Sequence, residues 1–443
     1  MNFNTTPYSK NSGVHINKVS RGVSIIGVGL TPFGSVLSTP ELKDLSEKEL
    51  AAWAAQLAMT DAGIKADVIE TLCFSQAHSQ SRYIQTGANM FMVDWLGMRA
   101  KPSNWHVEAS ASSYCAFNEA YMTIASGKHD IAIVCGSDTN LSYTSANTPP
   151  YIRYPIENFE PPKTEEGSDW FHSIQTDNAY TRWNGTYMAW MDESILLYMK
   201  KYGLSKEQMA DVLDALAISM RHNSANNPLA MYQSELNDEA KQNNFSGARE
   251  YLRSEKNPYI STMHRDMHCL KHADGAGALI LCASDIASKY HQNPVEILGI
   301  GISSMDSRYP RFITRTREEA YRQVFQSTGI SPEEIDLMYS TDFTLGQILH
   351  DSEIVGYVPE GEAWRYALDG EFAFDGCKPF NTHGGSTGFA HASGVQLFTQ
   401  AVEAVRQMRG ECGKRQVKVM PKTVLISGQG DTQEGAAIVL RAQ

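Results

Sequence analysis

The sequence predicts an internally duplicated α/β fold of two βαβαβαββ halves, with a loop domain inserted in the first half. Two observations carry this prediction: one order of strands and helices occurs twice along the chain, and one long stretch occurs only once. The 443 residues exceed what a single hydrophobic core usually accommodates. The 42% hydrophobic and 20% charged residues are typical of a globular protein, so we expect at least two packed units.

The first strands of the two halves share a pattern. Residues 23–29 (V-S-I-I-G-V-G) and 295–301 (V-E-I-L-G-I-G) both read V-x-I-apolar-G-apolar-G, which is typical of a short buried strand that ends in glycine. A predicted helix follows each strand, over residues 46–62 and 315–327. A helix-stopping glycine then leads through a polar turn to the next strand.

The remaining elements pair between the halves in the same order. The second strands are predicted at residues 71–75 and 337–341, and the central helices at 112–127 and 391–409. The third strands are predicted at 131–136 and 423–427, and the final strands at 274–281 and 434–440. Strands that alternate with helices of this length imply mostly parallel sheets covered on both faces. Such an ordered set of matches indicates a duplication.

Residues 141–267 have no counterpart in the second half. This stretch begins as a loop rich in Ser, Thr, Asn and Pro. It then becomes dense in aromatic residues, namely Trp170, Phe171, Tyr180, Trp183, Tyr187 and Trp190. A helix is predicted after Ser205, because Ser205-Lys-Glu-Gln208 is a capping-box pattern. The stretch is a natural lid over a cleft, and the alternative is that its aromatic residues form a small core of their own.

These boundaries divide the chain into an N-terminal arm at 1–21, a first half at 22–140 plus 268–290, the inserted domain at 141–267 and a second half at 291–443. The arm is polar and lacks the apolar segment of a secretory signal. No apolar run approaches the roughly 20 residues that a membrane span requires. We therefore expect no membrane span.

Composition narrows the classes of partner and the compartment. The net charge of −12 argues against a nucleic-acid-binding surface spread over the whole protein, and it leaves room for a local basic patch that binds a phosphorylated ligand. The seven cysteines are scattered and form no C-x-x-C pair, so no metal site is expected. Sparse unpaired cysteines are typical of a reducing compartment, which predicts a cytoplasmic protein.

Two local motifs resemble those of a known family. Residues 107–116 read V-E-A-S-A-S-S-Y-C-A and lead to A-S-G-K-H-D at 125–130, and residues 381–394 read N-T-H-G-G-S-T-G-F-A-H-A-S-G. From Gly22 onward, the chain resembles the thiolase superfamily, and it looks closest to the sterol-carrier-type thiolases and their non-standard relatives. The resemblance implies a five-layer αβαβα arrangement and a homodimer. It also implies a CoA-thioester substrate, with coenzyme A as part of that substrate and no other cofactor.

The matched positions depart from the family in their catalytic groups. The resemblance places the nucleophilic cysteine on Ser110, or on Ala111 when counted from the other side, and Cys115 lies one helical turn further along. The family's N-E-x-F or H-D-x-F segment corresponds to S-T-D-F, which begins at Ser340. The late cysteine of many members is also replaced. The histidine of the family's G-H-P motif is retained as His391.

Loss of the thiolate slightly favours retro-aldol cleavage of a β-hydroxyacyl-CoA, because that reaction needs no covalent intermediate. The resemblance makes His391 the base, with Tyr339, Ser340 or His383 assisting. His383 could instead merely cap its turn.

The cleavage also requires donors that stabilise the enolate of the CoA thioester. We expect the backbone N–H groups of Gly384 and Gly385, with Asn381 beside them, to form this oxyanion site. The thiolase-like aldolases that the motif resembles work with a small partner protein that carries a zinc ribbon and an OB-like domain, so such a partner is implied.

Two alternatives remain open at this point. One is C-acyl transfer through Ser110 or Cys115, for which a serine needs a base within hydrogen-bond reach, and His391 is the matched candidate. Cys115 can equally be a buried packing residue, since free cysteines are among the most buried residue types. The other alternative is a catalytically silent subunit that retains the fold for assembly.

Overall fold

A computed structural model describes residue 19 and residues 21–77, 87–144, 187–304, 315–430 and 434–443. These residues form a nine-stranded sheet flanked by helices. The strands are β1 Val23–Leu30, β2 Thr71–Ser75, β3 Ser103–His106, β4 Ile131–Thr139, β5 Asp274–Ala283, β6 Val295–Ser304, β7 Leu337–Tyr339, β8 Thr423–Gly430 and β9 Glu434–Ala442.

The order of the strands across the sheet is β3-β2-β4-β5-β1-β6-β9-β8-β7. Read outward from the centre, β1-β5-β4-β2 in the first half corresponds to β6-β9-β8-β7 in the second. The predicted duplication is therefore confirmed. The two halves meet where β1 pairs with β6 through three residue pairs, from Val23 with Ile297 to Ile25 with Val295.

The expectation of mostly parallel sheets is wrong. Parallel pairing joins β2 to β3 and β4, and β7 to β8. All other neighbouring strands run antiparallel. The reason is that the last strand of each half lies between two other strands and runs antiparallel to both. These are β5 between β1 and β4, and β9 between β6 and β8.

The α-helices are α1 Glu47–Asp61, α2 Ala88–Trp95, α3 Ser112–Ala125, α4 Asn140–Thr144, α5 Tyr187–Tyr202, α6 Lys206–Ala225, α7 Leu236–Gln242, α8 Ala248–Leu252, α9 Ser284–Ala287, α10 Arg315–Thr328, α11 Gly346–Val355, α12 Ala363–Leu368, α13 Gly385–Gly388 and α14 Gln396–Arg409. The described part of the chain contains no helix that is long and apolar enough to cross a membrane.

Helices α3 and α14 form a central layer between the two halves of the sheet. One buried cluster contains Phe117 of α3 and Phe398 of α14 together with strand residues from both halves, Val134 of β4 and Ile438 of β9. Successive strand residues point to opposite faces. The neighbour Val439 accordingly belongs to a different cluster.

Two outer layers complete the fold. Helices α1 and α2 cover the first half of the sheet, where Leu50 packs in a cluster with Ile133. Helices α6, α10 and α11 cover the second half, where Val324 packs in a cluster with Val439. The order helix, sheet, helix, sheet, helix is the five-layer arrangement expected from the resemblance.

Glycines explain why the opening strand of each half carries the G-x-G pattern. A Cβ on Gly29 would lie 2.2 Å from the carbonyl oxygen of Ala54 in α1, and a Cβ on Gly301 would lie 2.1 Å from the carbonyl oxygen of Ala320 in α10. Both helices thus approach the strand backbone more closely than any side chain would permit. The predicted glycine stops are present as well, at Gly63 after α1 and Gly329 after α10, with φ values of 65° and 72°.

The inserted stretch is described in part. The helix predicted after Ser205 is α6, and Ser205 and Gln208 form its capping box. The aromatic residues on which the lid prediction rests lie outside the described residues, or their side chains do. The lid, the N-terminal arm and the domain boundaries therefore stay predictions.

Candidate active site

Two residues from distant parts of the chain meet at the central layer. The hydroxyl oxygen of Ser110 lies 3.5 Å from Nε2 of His391, and both side chains are buried. Ser110 precedes the first turn of α3, and His391 precedes α14. Because α3 and α14 pack side by side between the two halves of the sheet, the segments that lead into these helices bring the serine and the histidine together. Ala111, the other position considered, is the N-terminal cap of α3.

His391 lies in an extended segment, which corrects the prediction of a helix over residues 391–409. The N–H of His391 donates to the carbonyl oxygen of Lys271 at 2.7 Å, and its own carbonyl oxygen accepts from Ala273 at 2.9 Å. The backbone groups of His391 therefore bond to the neighbouring segment at Lys271 and Ala273 and do not form helical hydrogen bonds. The helix begins only at Gln396.

The environment of His391 keeps its ring neutral. Burial, together with the smaller effect of His272, lowers the pKa of His391 to about 3. The ring of Phe343 stands edge-on against the imidazole, with 5.2 Å between ring centroids. A neutral imidazole with its proton on Nδ1 can accept a proton at Nε2, the nitrogen that faces Ser110.

The backbone around these residues is strained. Six described non-glycine residues have positive φ, and three of them lie in the site: Ala109 at 46°, Asn381 at 45° and Ala390 at 90°. Ala109 directly precedes Ser110, and Ala390 directly precedes His391. Left-handed backbone at non-glycine residues is unfavourable and concentrates at functional sites. This clustering is a second, independent indication that the site is functional.

The glycine-rich turn is held by Asn381. Its side-chain oxygen accepts from the N–H of Ser340 at 3.0 Å, and its amide nitrogen donates to the carbonyl oxygen of Ser340 at 2.9 Å. The N–H of Gly384 donates to the carbonyl oxygen of Asn381 at 2.8 Å. Because its N–H is already used, Gly384 does not offer the predicted oxyanion donor in this arrangement, and the predicted role of Asn381 is not tested. Gly385 stays a prediction.

Ser340, Tyr339 and His383 lie near the site with other partners. Ser340 donates to Asp351, which forms a fully buried ion pair with Arg317 at 2.7 Å. The hydroxyl of Tyr339 is 2.7 Å from that of Thr382, and burial raises the pKa of Tyr339 well above its usual value.

Burial lowers the pKa of His383 to about 4. Its ring lies between Tyr339 and Phe389, with ring centroids 5.6 and 5.5 Å away. Among the described residues, no hydrogen bond of Ser340, Tyr339 or His383 reaches Ser110 or His391. Direct assistance to His391 by any of these three is not seen in this arrangement.

The surroundings of Cys115 oppose the formation of a thiolate. Burial raises the pKa of this thiol above its usual range, and the carboxyl groups of Glu108 and Glu434 raise it further. A nucleophilic cysteine needs the opposite surroundings, because cationic groups or helix N–H groups are what stabilise the thiolate. These surroundings argue against acyl transfer through Cys115, and that alternative stays a prediction. Acyl transfer through Ser110 remains open.

Sequence reasoning missed Asp342, which lies between Ser340 and Phe343. Its Oδ1 accepts from the N–H of Ser386 at 2.7 Å. Its Oδ2 is buried and has no hydrogen-bond partner among the residues the structure describes. The signal available in the sequence was a charged residue directly after the apolar strand, inside the S-T-D-F segment.

No three His, Cys, Asp or Glu side chains within the described ranges are placed to hold a metal ion. The groups present at the site are a neutral imidazole, a serine hydroxyl and a buried carboxyl. This set can move protons between oxygen and carbon atoms of a bound substrate.

Comparison with known families matches both halves of the chain. Residues 23–258 match the family model described as Thiolase, N-terminal domain, and residues 302–442 match Thiolase C-terminal domain-like.

Individual relatives are distant but span most of the chain. An acetyl-CoA acetyltransferase of Methanothermobacter thermautotrophicus is 28% identical over 421 residues, which cover 93% of this chain and 98% of the relative. A steroid side-chain-cleaving aldolase of Thermomonospora curvata is 24% identical over 399 residues, which cover 86% and 90%. Among solved structures, the "Ltp2-ChsH2(DUF35) aldolase" aligns with a TM-score of 0.70 at 20% identity and covers 95% of this chain and 98% of that one.

Proposed function

The chain belongs to the thiolase superfamily, and from this premise we propose that it cleaves the Cα–Cβ bond of a β-hydroxyacyl-CoA by a retro-aldol reaction. Family membership supports the coarser statement, an enzyme that acts on a carbon–carbon bond next to a CoA thioester. The choice of retro-aldol cleavage rests on the site itself.

One observation carries the proposal. The position expected to hold the nucleophilic thiolate holds Ser110, and a buried, neutral His391 lies 3.5 Å from its hydroxyl. A serine hydroxyl is a weak nucleophile at neutral pH unless a base removes its proton. A neutral imidazole needs no such preparation to accept a proton from a substrate hydroxyl.

The reaction proceeds with a balance of atoms and charge. Nε2 of His391 takes the proton of the β-hydroxyl, the β-carbon becomes a carbonyl, and the Cα–Cβ bond breaks. Its electron pair forms the enolate of the CoA thioester, and protonation of the α-carbon releases a shorter acyl-CoA. The low pKa of His391 rises as the substrate oxygen develops negative charge beside it, because an opposite charge favours the imidazolium. In the proposed reaction, the hydroxyl of Ser110 donates a hydrogen bond to the same substrate oxygen.

The relatives support this choice and suggest a partner. A steroid side-chain-cleaving aldolase is among them, and the aldolase structure with the same fold is named together with a DUF35 component. We extend the proposal to a homodimer and to a small partner protein of the zinc-ribbon and OB-like type.

C-acyl transfer through Ser110 is the second candidate. The contact between Ser110 and His391 favours it, because this is the arrangement in which a histidine activates a serine. The two candidates differ in one observable respect: acyl transfer leaves an acyl group on the protein, and retro-aldol cleavage does not.

The test is intact-protein mass spectrometry combined with product analysis, after incubation with a panel of β-hydroxyacyl-CoA and acyl-CoA esters, with and without a co-encoded partner protein. We expect release of a ketone or aldehyde and of a shorter acyl-CoA, with no acyl adduct. We expect His391→Ala to lower the cleavage rate at least 100-fold and Ser110→Ala to lower it less.

His350→Ala is the matched control, because burial also lowers the pKa of His350, to about 4, while its ring bonds to the carbonyl oxygen of Ser194 outside the site. This variant should retain cleavage. An acyl adduct that disappears in Ser110→Ala would replace the retro-aldol proposal by acyl transfer. Tight binding of CoA esters without any turnover would indicate a silent subunit.

A further inference from the structure

The carboxyl group of Asp342 occupies a niche that exists because residue 385 is glycine. A Cβ on Gly385 would lie 2.0 Å from Oδ2 of Asp342, far inside contact distance. The Asp342 side chain is buried, and within the described ranges Oδ2 has no hydrogen-bond partner. A buried polar atom without a partner is unfavourable, because folding removes it from water without a replacement hydrogen bond. Such an atom in a functional site is a candidate for a catalytic role.

Consecutive hydrogen bonds link Asp342 to His391. The N–H of Ser386 donates to Oδ1 of Asp342 at 2.7 Å, and the carbonyl oxygen of Ser386 accepts from the N–H of Lys271 at 2.9 Å. The carbonyl oxygen of Lys271 then accepts from the N–H of His391 at 2.7 Å. Phe343, the residue after Asp342, packs on the imidazole. Asp342 and His391 are therefore connected through the backbone of Ser386 and Lys271.

The Asp342 carboxyl group also interacts electrostatically with the helix that follows Ser110. Tyr114 lies one turn after Ser110 on α3, and the charge of Asp342 contributes to raising its pKa, after the larger effect of burial. The Asp342 carboxyl thus lies in electrostatic reach of the same helix that presents Ser110.

The protonation state of Asp342 is set by its burial. Burial raises the pKa of Asp342 to about 7, and the polar groups of Ser386 and Asn381 near the carboxyl group oppose this rise only in part. Near neutral pH both the acid and the carboxylate are populated. A group with a pKa near the working pH is best suited to pass a proton in both directions.

We propose that Asp342 is the catalytic acid of this site, and that its carboxyl group delivers a proton from Oδ2 to the α-carbon of the CoA-thioester enolate. The O–H bond of the carboxyl breaks, the enolate electron pair forms the new C–H bond, and Asp342 is left as a carboxylate that solvent reprotonates. In the reverse direction the carboxylate removes an α-proton. His391 acts at the β-oxygen, so the two residues divide the two proton transfers. The assignment deepens the proposed function and rests on it for the identity of the enolate.

The test follows the α-proton without requiring cleavage. Acetyl-CoA and propionyl-CoA are incubated with the protein in D₂O, and deuterium incorporation at the α-carbon is measured by mass spectrometry. We expect Asp342→Asn to lower the exchange rate at least 100-fold. We expect His391→Gln to abolish cleavage of a β-hydroxyacyl-CoA while exchange continues, because exchange involves no β-oxygen.

Asp336→Asn is the control, since it makes the same change at the start of β7. Asp336 accepts from the N–H groups of Lys422 and Thr423 at 2.7 and 3.0 Å, at the opposite end of the strand from the site. This variant should keep exchange. Exchange that persists in folded Asp342→Asn, or exchange that is absent from the wild type, would overturn the assignment.

Two outcomes separate this inference from the function it rests on. If no β-hydroxyacyl-CoA is cleaved and exchange still depends on Asp342, the retro-aldol proposal fails and the assignment of Asp342 as the acid is retained.

If Asp342→Asn does not fold, the pH profile of wild-type exchange decides. Exchange should rise through about pH 7 as the carboxylate forms. Tyr114, the titratable neighbour whose pKa burial raises, stays neutral over this range. A rate that is flat from pH 5.5 to 8.5 (roughly a unit and a half either side) contradicts the assignment.

Discussion

Because His391 is buried, the folded state disfavours protonation of its imidazole ring. Its pKa in the folded protein is about 3, whereas an unfolded chain leaves histidine at roughly 6.5. Between these values the unfolded state binds more protons than the folded state. Stability contributed by the neutral ring is therefore complete above pH 6.5 and is lost as the pH falls through that value.

The linkage gives a prediction for His391→Gln. The difference in free energy of unfolding between wild type and variant should move by about 1 kcal/mol in favour of the variant between pH 7.5 and pH 5.5, since glutamine does not titrate. Urea denaturation at both pH values measures it. A difference that stays constant across this range would show that the ring of His391 is accessible to protons.

Tyr339 is predicted to act on stability alone. Its hydroxyl bonds to Thr382, and the side chain is fully buried. Tyr339→Phe should lower the free energy of unfolding by about 1 kcal/mol, the value of a typical buried hydrogen bond, and leave cleavage within about twofold of wild type. Thermal unfolding and the cleavage assay check the two parts. A loss of activity without a loss of stability would return Tyr339 to the catalytic set.

The sequence could predict which residues belong to the site more readily than what each one does. Ser110 and His391 were identified from motif positions, and the structure brings them together. The partners of Ser340 and Asn381 depend on side-chain contacts across the fold, which spacing along the chain does not encode. Asp342 lies inside the S-T-D-F motif, but the motif does not show that the missing side chain of Gly385 makes room for its carboxyl group.

Among the elements, the opening strand and helix of each half pack by close backbone approach. Gly301→Ala would place its Cβ 2.1 Å from the carbonyl oxygen of Ala320, so α10 must move away from β6. We expect a loss of about 1–3 kcal/mol in the free energy of unfolding, the usual effect of overpacking. Gly247→Ala is the control, because its backbone is extended and the nearest atom to its Cβ lies 3.8 Å away. Equal stability of the two variants would contradict the packing argument.

Element boundaries followed the sequence where the signal was local. The strand predicted over residues 71–75 is β2, and the capping box at Ser205 begins α6. The helix predicted from His391 begins five residues late, because its first backbone groups bond to the segment around Lys271. That competition between local and distant hydrogen bonds is invisible in a local pattern.

For the molecule as a whole, Arg409 connects the two halves. From α14 in the second half, its guanidinium group contacts Asp61 of α1 at 2.8 Å and the carbonyl oxygen of Ile26 at 3.3 Å. The Arg409 side chain is 1% exposed and that of Asp61 is 28% exposed. The pair thus reinforces a junction at which β1 and β6 share only a short ladder.

Arg409→Met should lower the free energy of unfolding by about 2 kcal/mol, less than for a fully buried pair because Asp61 is partly solvated. Chemical denaturation measures the change. Arg99→Met is the control, because the pair of Arg99 with Asp94 is exposed at 82% and 52% and is expected to contribute less than about 1 kcal/mol. A similar loss of stability in both variants would mean that the Arg409–Asp61 pair stabilises the fold no more than an exposed ion pair does.

The strand order also has a consequence for how the chain is made. In the first half, β5 pairs with both β1 and β4. In the second, β9 pairs with both β6 and β8. The strand that leaves the ribosome last is therefore the one that joins the others. After β4 emerges, the inserted stretch must be synthesised before β5 can close the sheet, and during that interval the edges of β1 and β4 lack their partner. Unpaired edges invite association with other chains, so the growing polypeptide is expected to need chaperone protection over this interval.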